Sequence, residues 1–211
     1  MRTDDLIDTL AADLAPRRPL SAVLSLACAL GLAATVGLFL AGWGPRADLA
    51  TALESLRFVA KPLLGALLAV GALGLALRLA HPGGSARGWA LALAAAPAAA
   101  LACAGLELGA LPAQAWAGAL VGDNALVCLV SIPVLALPML VALIAALRRG
   151  APLRPGFAGA IAGLAAAGVA AALYGLFCTD DSPLFVATWY GLAAGIVAGM
   201  GAVAGRRWLR W

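Results

Sequence analysis

Chemistry-bearing residues are scarce in this 211-residue chain: it has a single histidine, His81, and only 11% of its residues are charged. A soluble globular protein carries about 25% charged and roughly 45–50% apolar residues. Here 64% are apolar and the mean hydropathy is +1.00. No soluble fold of this length hides that much apolar surface, because a chain of this size still leaves a sizeable share of its area in water. The shortage of charge therefore excludes a soluble domain and indicates an integral membrane protein. Two-residue alternation is missing as well. The apolar runs are continuous, which excludes a spanning β-barrel.

What is absent also narrows the chemistry. There is no HExxH pattern for a metalloprotease. Ser85 follows Gly83 and Gly84 in a loop and no histidine occurs in the later spans, so an intramembrane serine protease lacks its facing pair. Glu107 is the only carboxylate near a span interior, whereas acid–base chemistry wants paired titratable groups in one pocket. The chain reads as a non-enzyme that needs no cofactor. His81, beside Pro82 and Gly83, reads as an interfacial polar residue. The same scarcity weighs against ion-coupled transport, whose pathways are marked by ionisable residues inside the spans. Four cysteines in so apolar a chain form no disulfide framework of the small secreted kind.

Six stretches are long enough to cross a hydrocarbon layer of about 30 Å as helices: 20–42, 59–80, 89–110, 125–147, 157–177 and 184–205. The expected fold is an all-α integral membrane protein of six transmembrane helices. The basic residues punctuate these runs rather than cluster, which is an orientation signal and not a nucleic-acid footprint. Arg2, Arg17, Arg18, Arg78, Arg87, Arg148, Arg149, Arg154, Arg206, Arg207 and Arg210 share a side with the N-terminus, and only Arg46, Arg57 and Lys61 fall on the other. The positive-inside rule then places both termini in the cytoplasm. Asp123, Asp180 and Asp181 fall in outer loops. Residues 1–18 form a cytoplasmic acidic segment, and 19–211 a six-helix bundle with short loops and a basic tail. No signal peptide is expected, since four aspartates precede the first run and that run continues at full length.

Small residues must provide helix contacts in lipid. Gly159/Gly163, Gly191/Gly195, Gly195/Gly199 and Gly201/Gly205 are spaced four apart, for packing within the bundle or for a dimer face. Pro97 in the third span and Pro133 and Pro138 in the fourth each remove a helical hydrogen bond, and packing is the simplest use of such prolines in membranes.

Two segments carry functional candidates. From Thr3 to Pro16 the sequence reads as a short helix, capped by Thr3 and stopped by Pro16. Leu6, Ile7, Leu10 and Leu14 fall on one stripe, with Asp4, Asp5, Asp8 and Asp13 giving it acidic character. The anionic inner leaflet repels such a segment. Its destination is either a partner groove with a basic rim or this protein's own arginine-bearing loops. The second candidate is a pair of thiols. Cys128 lies about one turn into the fourth span and Cys178 closes the fifth at the same outer end; a short inner turn makes those spans antiparallel neighbours. With Asp123, Asp180 and Asp181 nearby, the two thiols are candidates for transient soft-metal binding or disulfide formation, or are ordinary buried cysteines. Cys28 and Cys103, within spans, read as small core residues.

The N-terminal Thr-Asp-Asp-Leu-Ile-Asp-x-Leu-Ala-x-Asp-Leu-x-Pro, the six short-looped spans and Cys178-Thr-Asp-Asp-Ser-Pro-Leu-Phe, followed by Trp189-Tyr190, resemble the NrsF-type family over essentially the whole chain. Those are bacterial inner-membrane anti-sigma factors acting on extracytoplasmic-function (ECF) sigma factors, with outer cysteines linked to heavy-metal or oxidative stress. The resemblance implies that Cys128 and Cys178 are the sensory pair and that the partner is such a sigma factor. The acidic N-terminal segment becomes the sigma-binding element, chiefly on its exposure and charge. The rival readings are a small transporter or permease-like subunit, with a polar pocket near the bilayer midplane, and a scaffold within a larger membrane complex.

Overall fold

The computed structural model describes Thr3, Asp5 and residues 20–79, 86–150 and 152–210. The rest of the acidic N-terminal segment (Asp4, Leu6, Ile7, Asp8, Leu10, Asp13 and Leu14 among it), His81 and Ser85 lie outside the described residues. Six long helices account for the six apolar runs: α1 Leu20–Gly42, α2 Leu56–Leu79, α3 Arg87–Ala110, α4 Ala125–Leu147, α5 Pro155–Tyr174 and α6 Pro183–Trp208. All are long and apolar enough to cross a membrane. No strand occurs among the described residues.

Helix ends fall where the backbone chemistry puts them. Asn124 precedes α4, and Pro155 opens α5 at its first turn, where the missing N–H costs nothing. At its other end α5 stops at Tyr174, three residues short of the span read from hydropathy. Leu176 N and Phe177 N donate to Leu173 O and Tyr174 O in a tightened final turn. Cys178 therefore sits in the connection after α5 rather than on the helix itself. α6 starts with one α-helical turn, Pro183–Phe185, and then widens into a π-helical stretch, Val186–Tyr190. Pro62, within α2, is a further helical proline.

α5 is the hub. Of its most apolar stretch 61% is buried against protein, against 11% for α3, which therefore lies at the periphery. α5 packs on α6, α2 and α4, and α1 leans on α4. The reason is its side chains: Ala and Gly dominate the helix, and with no hydrophobic drive between helices in lipid, close backbone approach is what holds them together. Gly159 and Gly163 face Gly201, Gly205 and Val197 of α6, while Gly168 faces Gly65 and Ala69 of α2. Of the four glycine pairs, Gly159/Gly163 and Gly201/Gly205 pack inside the bundle. Gly191, Gly195 and Gly199 look onto open space.

The connections gather at two ends. Arg46, Arg57, Lys61, Glu107, Asn124 and residues 176–184 meet through hydrogen bonds at what we call the acidic end, where Trp43 also donates to Ser131 Oγ. Arg148, Arg154, Arg206 and Arg207 lie at the opposite, basic end. A methyl group on Gly159 or Gly201 would run into the facing backbone carbonyl. Gly159→Ala or Gly201→Ala is therefore expected to destabilise the bundle by about 1–3 kcal/mol, while Gly195→Ala is neutral or slightly stabilising. Equilibrium unfolding in detergent micelles distinguishes the three.

Candidate functional site

At the acidic end the two sequence-singled thiols come into one core cluster. Cys128, on α4, is 0% exposed and Cys178 is 1% exposed. Each lies within the other's electrostatic reach, and both are free thiols. Tyr174 and Tyr190 share the pocket, with ring centroids 5.9 Å apart. Their hydroxyls are buried beside the Cys178 sulfur and interact with both cysteines. Among the described residues no three His, Cys, Asp or Glu side chains converge as a metal centre. The donor set for a soft cation is thus two sulfurs with two phenol oxygens beside them. Burial pushes the Cys178 thiol up from its ordinary value, opposed by the Lys61 ammonium. At neutral pH it is a thiol, closed off and slow to react.

Cys178 belongs to the connection between α5 and α6, residues 175–182, which is fastened to several other elements. Lys61, on α2 and 2% exposed, donates to Cys178 O at 2.8 Å and Asp180 O at 3.1 Å and forms an ion pair with Asp181. Arg46, after α1, reaches Asp181 at 3.3 Å and Asp48 at 2.6 Å, and Arg46 N donates to Leu176 O. The Asp48 hydrogen bond raises the Arg46 guanidinium further above its usual range, and that guanidinium holds the Asp48 carboxyl low. Both cations also sit 5.5 Å from the buried Phe58 ring.

Two carboxylates complete the fastening by capping helices that are not their own. Asp180 accepts from Asn124 N at 2.9 Å, Asp123 N at 3.3 Å and Asn124 Nδ2 at 2.9 Å at the start of α4. Gly122, with φ of +55°, makes the turn that presents those amides, and a side chain there would strike Phe185 and Asp180. Glu107, 4% exposed on α3, accepts from Ser182 Oγ at 2.6 Å and Leu184 N at 2.8 Å at the start of α6, and pairs with Arg57 at 2.9 Å. Negative charge at helix N-termini and an ammonium on carbonyls beyond a helix C-terminus both complement the helix dipoles.

The predicted neighbours are therefore placed as follows. Asp180 and Asp181 are engaged by α4 amides and by cations, and Asp123 is exposed beside Asn124. Cys28 and Cys103 are half-buried on helix faces rather than in the core, and Cys103 lines a cavity of about 260 Å³ beside Arg57 and Glu107. Sequence reasoning took Lys61, Arg46 and Arg57 only as orientation charges. The available signal was Lys61 inside an apolar span, since such a residue demands a partner.

A six-helix bundle of membrane-spanning length, closed at one end over a buried thiol pair, is the class of protein the fold and site define. Residues 10–211 match the family described as "Negative regulator of sigma F", NrsF. The chain is 39% identical to the "Anti-sigma-F factor NrsF" of Caulobacter vibrioides and 34% identical to the "Probable anti-sigma-F factor NrsF" of Azospira oryzae, over the full length of all three. This chain belongs to the NrsF family. No solved structure matches it.

Removing the Lys61 ammonium leaves two buried carbonyls without their donor and Asp181 with Arg46 alone. Lys61→Met is expected to cost about 3 kcal/mol. Adding Asp181→Asn is expected to cost less than the sum of the two single changes, because the pair acts as a unit. Denaturant unfolding in micelles across the double-mutant cycle measures both.

Proposed function

We propose that this chain is an anti-sigma factor of the bacterial inner membrane, which holds an ECF sigma factor inactive and releases it when heavy metal or oxidant reaches Cys128 and Cys178. The observation that carries the reading is the full-length likeness to relatives named anti-sigma-F factors. The distribution of arginines supports an orientation with both termini inside. That orientation presents residues 1–18 to the cytoplasm as the sigma-binding element, with Asp4, Asp5, Asp8 and Asp13 as its acidic residues and Leu6, Ile7, Leu10 and Leu14 as its apolar stripe. It also turns the thiol-bearing end outward.

At rest the loop over the thiols is closed by Lys61, Asp180 and Glu107. A thiophilic divalent cation would be held by Cys128 and Cys178: two S–H bonds give their protons to water and two metal–sulfur bonds form. An oxidant instead takes two electrons and two protons from the pair as the S–S bond forms. Either event ties α4 to the α5–α6 connection more tightly than in the resting state. Close α5–α6 packing at Gly159, Gly163, Gly201 and Gly205 carries the displacement toward the basic end. The signal must stabilise one state over the other, and tenfold release requires only about 1.4 kcal/mol of coupling. The transporter reading gains little here: the cavity of about 410 Å³ between α2, α3 and α6 is apolar apart from Lys61 and Tyr190.

Two experiments test the proposal. A sigma factor is expected to co-purify with the detergent-solubilised protein from its host and to be lost on deletion of residues 2–15. Replacing both Cys128 and Cys178 by Ser is expected to preserve repression while blunting induction by cadmium or chromate in a reporter strain. Undiminished induction in that variant rejects the sensory role, and absence of any sigma factor from the purified protein rejects the anti-sigma role.

A further inference from the structure

The basic end carries a feature that neither the thiol site nor the proposed sigma contact uses. Between α4 and α6 an open cavity of about 680 Å³ runs along the surface. Ala145 and Gly199 leave the space, and Val141 and Val203, 65% and 64% exposed, border it. At its mouth stand Arg148, just past the end of α4, and Arg207 and Trp208 in the last turn of α6. The lower part of this groove is apolar and lies on helices long and apolar enough to span a membrane, and its mouth is cationic and aromatic.

The charge accounting sets this mouth apart. At the acidic end Arg46, Arg57 and Lys61 are each matched by a carboxylate of the protein. Within residues 20–210 every carboxylate belongs to that end: Asp48, Glu54, Glu107, Asp123, Asp180 and Asp181. Arg148 and Arg207 form no salt bridge among the described residues, although they come from two helices and converge on one cavity. Two guanidiniums at the edge of an apolar groove match a phosphodiester, which accepts paired N–H bonds from arginine. Tryptophan beside them is the residue that settles at headgroup level. Basic pockets between membrane helices are general sites for anionic headgroups.

We infer that this groove binds an anionic phospholipid, with an acyl chain along Val141, Gly199 and Val203 and the phosphodiester between Arg148 and Arg207. A second copy of the chain is a poorer occupant. A two-fold contact sets the same patch against itself, which would bring four guanidiniums together with no carboxylate between them. A soluble segment does not reach the apolar length of the groove, which lies on the spanning parts of α4 and α6.

Native mass spectrometry of the full chain, purified in an uncharged detergent and offered phosphatidylglycerol or phosphatidylcholine with identical acyl chains, tests the inference. The wild-type protein is expected to retain phosphatidylglycerol at least tenfold better, and Arg148→Gln with Arg207→Gln to abolish that preference; both arginines are exposed, so the fold is untouched. Gly199→Leu enters open space and is expected to weaken retention while the arginines remain. Equal retention of the two lipids by the wild type, or a preference that survives loss of both arginines, overturns the inference. So does displacement of the lipid by inorganic phosphate, or a Val203→Cys disulfide dimer that forms whether or not phosphatidylglycerol is present.

Discussion

One buried ammonium sets the terms for the acidic end of this molecule. Lys61 sits inside an apolar helix, out of reach of bulk water, so its charge has to be met by protein. It is met by two carbonyls and a carboxylate, all from the four residues that begin at Cys178. The cost of stranding that charge pins the α5–α6 connection onto α2, and the same connection then supplies Asp180 to α4 and receives Glu107 from α3. Cys178 is buried because the loop is pinned. Its closed, protonated state at rest follows from the same fastening.

In lipid, the strength of such a bundle cannot come from a hydrophobic preference of helix for helix. It comes from contact at short range and from polar groups with nowhere else to go. α5 supplies the first, with glycines facing α2 on one side and α6 on the other. The acidic end supplies the second, with Asp180 at the start of α4, Glu107 at the start of α6 and Lys61 on the carbonyls beyond α5. The two ends are consequently unlike. One is stapled by internal ion pairs, and at the other Arg148 and Arg207 form no salt bridge among the described residues. An asymmetry of this kind suits a protein that faces different surroundings at its two ends, with the acidic end self-contained.

The spans were legible because hydropathy over about 20 residues is a strong signal in a membrane chain, and α1 and α4 fall on the expected residues. The neighbouring thiols were legible from the antiparallel turn between α4 and α5. Three features were not. The end of α5 depends on a tightened turn at Leu176 and Phe177 that no residue pattern announces. The π-helical stretch before Gly191, which belongs to the segment that brings Tyr190 to the cysteines, has no compositional signature. The use of each glycine pair depends on which helix lies opposite, so identical four-residue spacings serve packing at Gly201/Gly205 and open surface at Gly195/Gly199. Lys61 was visible but was counted only as a charge, when a cation inside a span is first of all a demand for a partner.

Burial of the thiols constrains any sensing scheme built on them. A thiol held at about 1% exposure does not react at the rate of a free one, so an attacking metal or oxidant must wait for the loop over residues 175–182 to open. That opening must disturb several contacts at once, because Lys61, Asp180 and Glu107 fasten the loop to three different helices. A loop bound in this way has few intermediate positions; it is fastened or released. Tyr174 on α5 and Tyr190 on α6 both interact with the Cys178 sulfur, so a change at that sulfur is felt by both helices. Any engagement of the two sulfurs would therefore bear on the whole connection rather than on a single side chain.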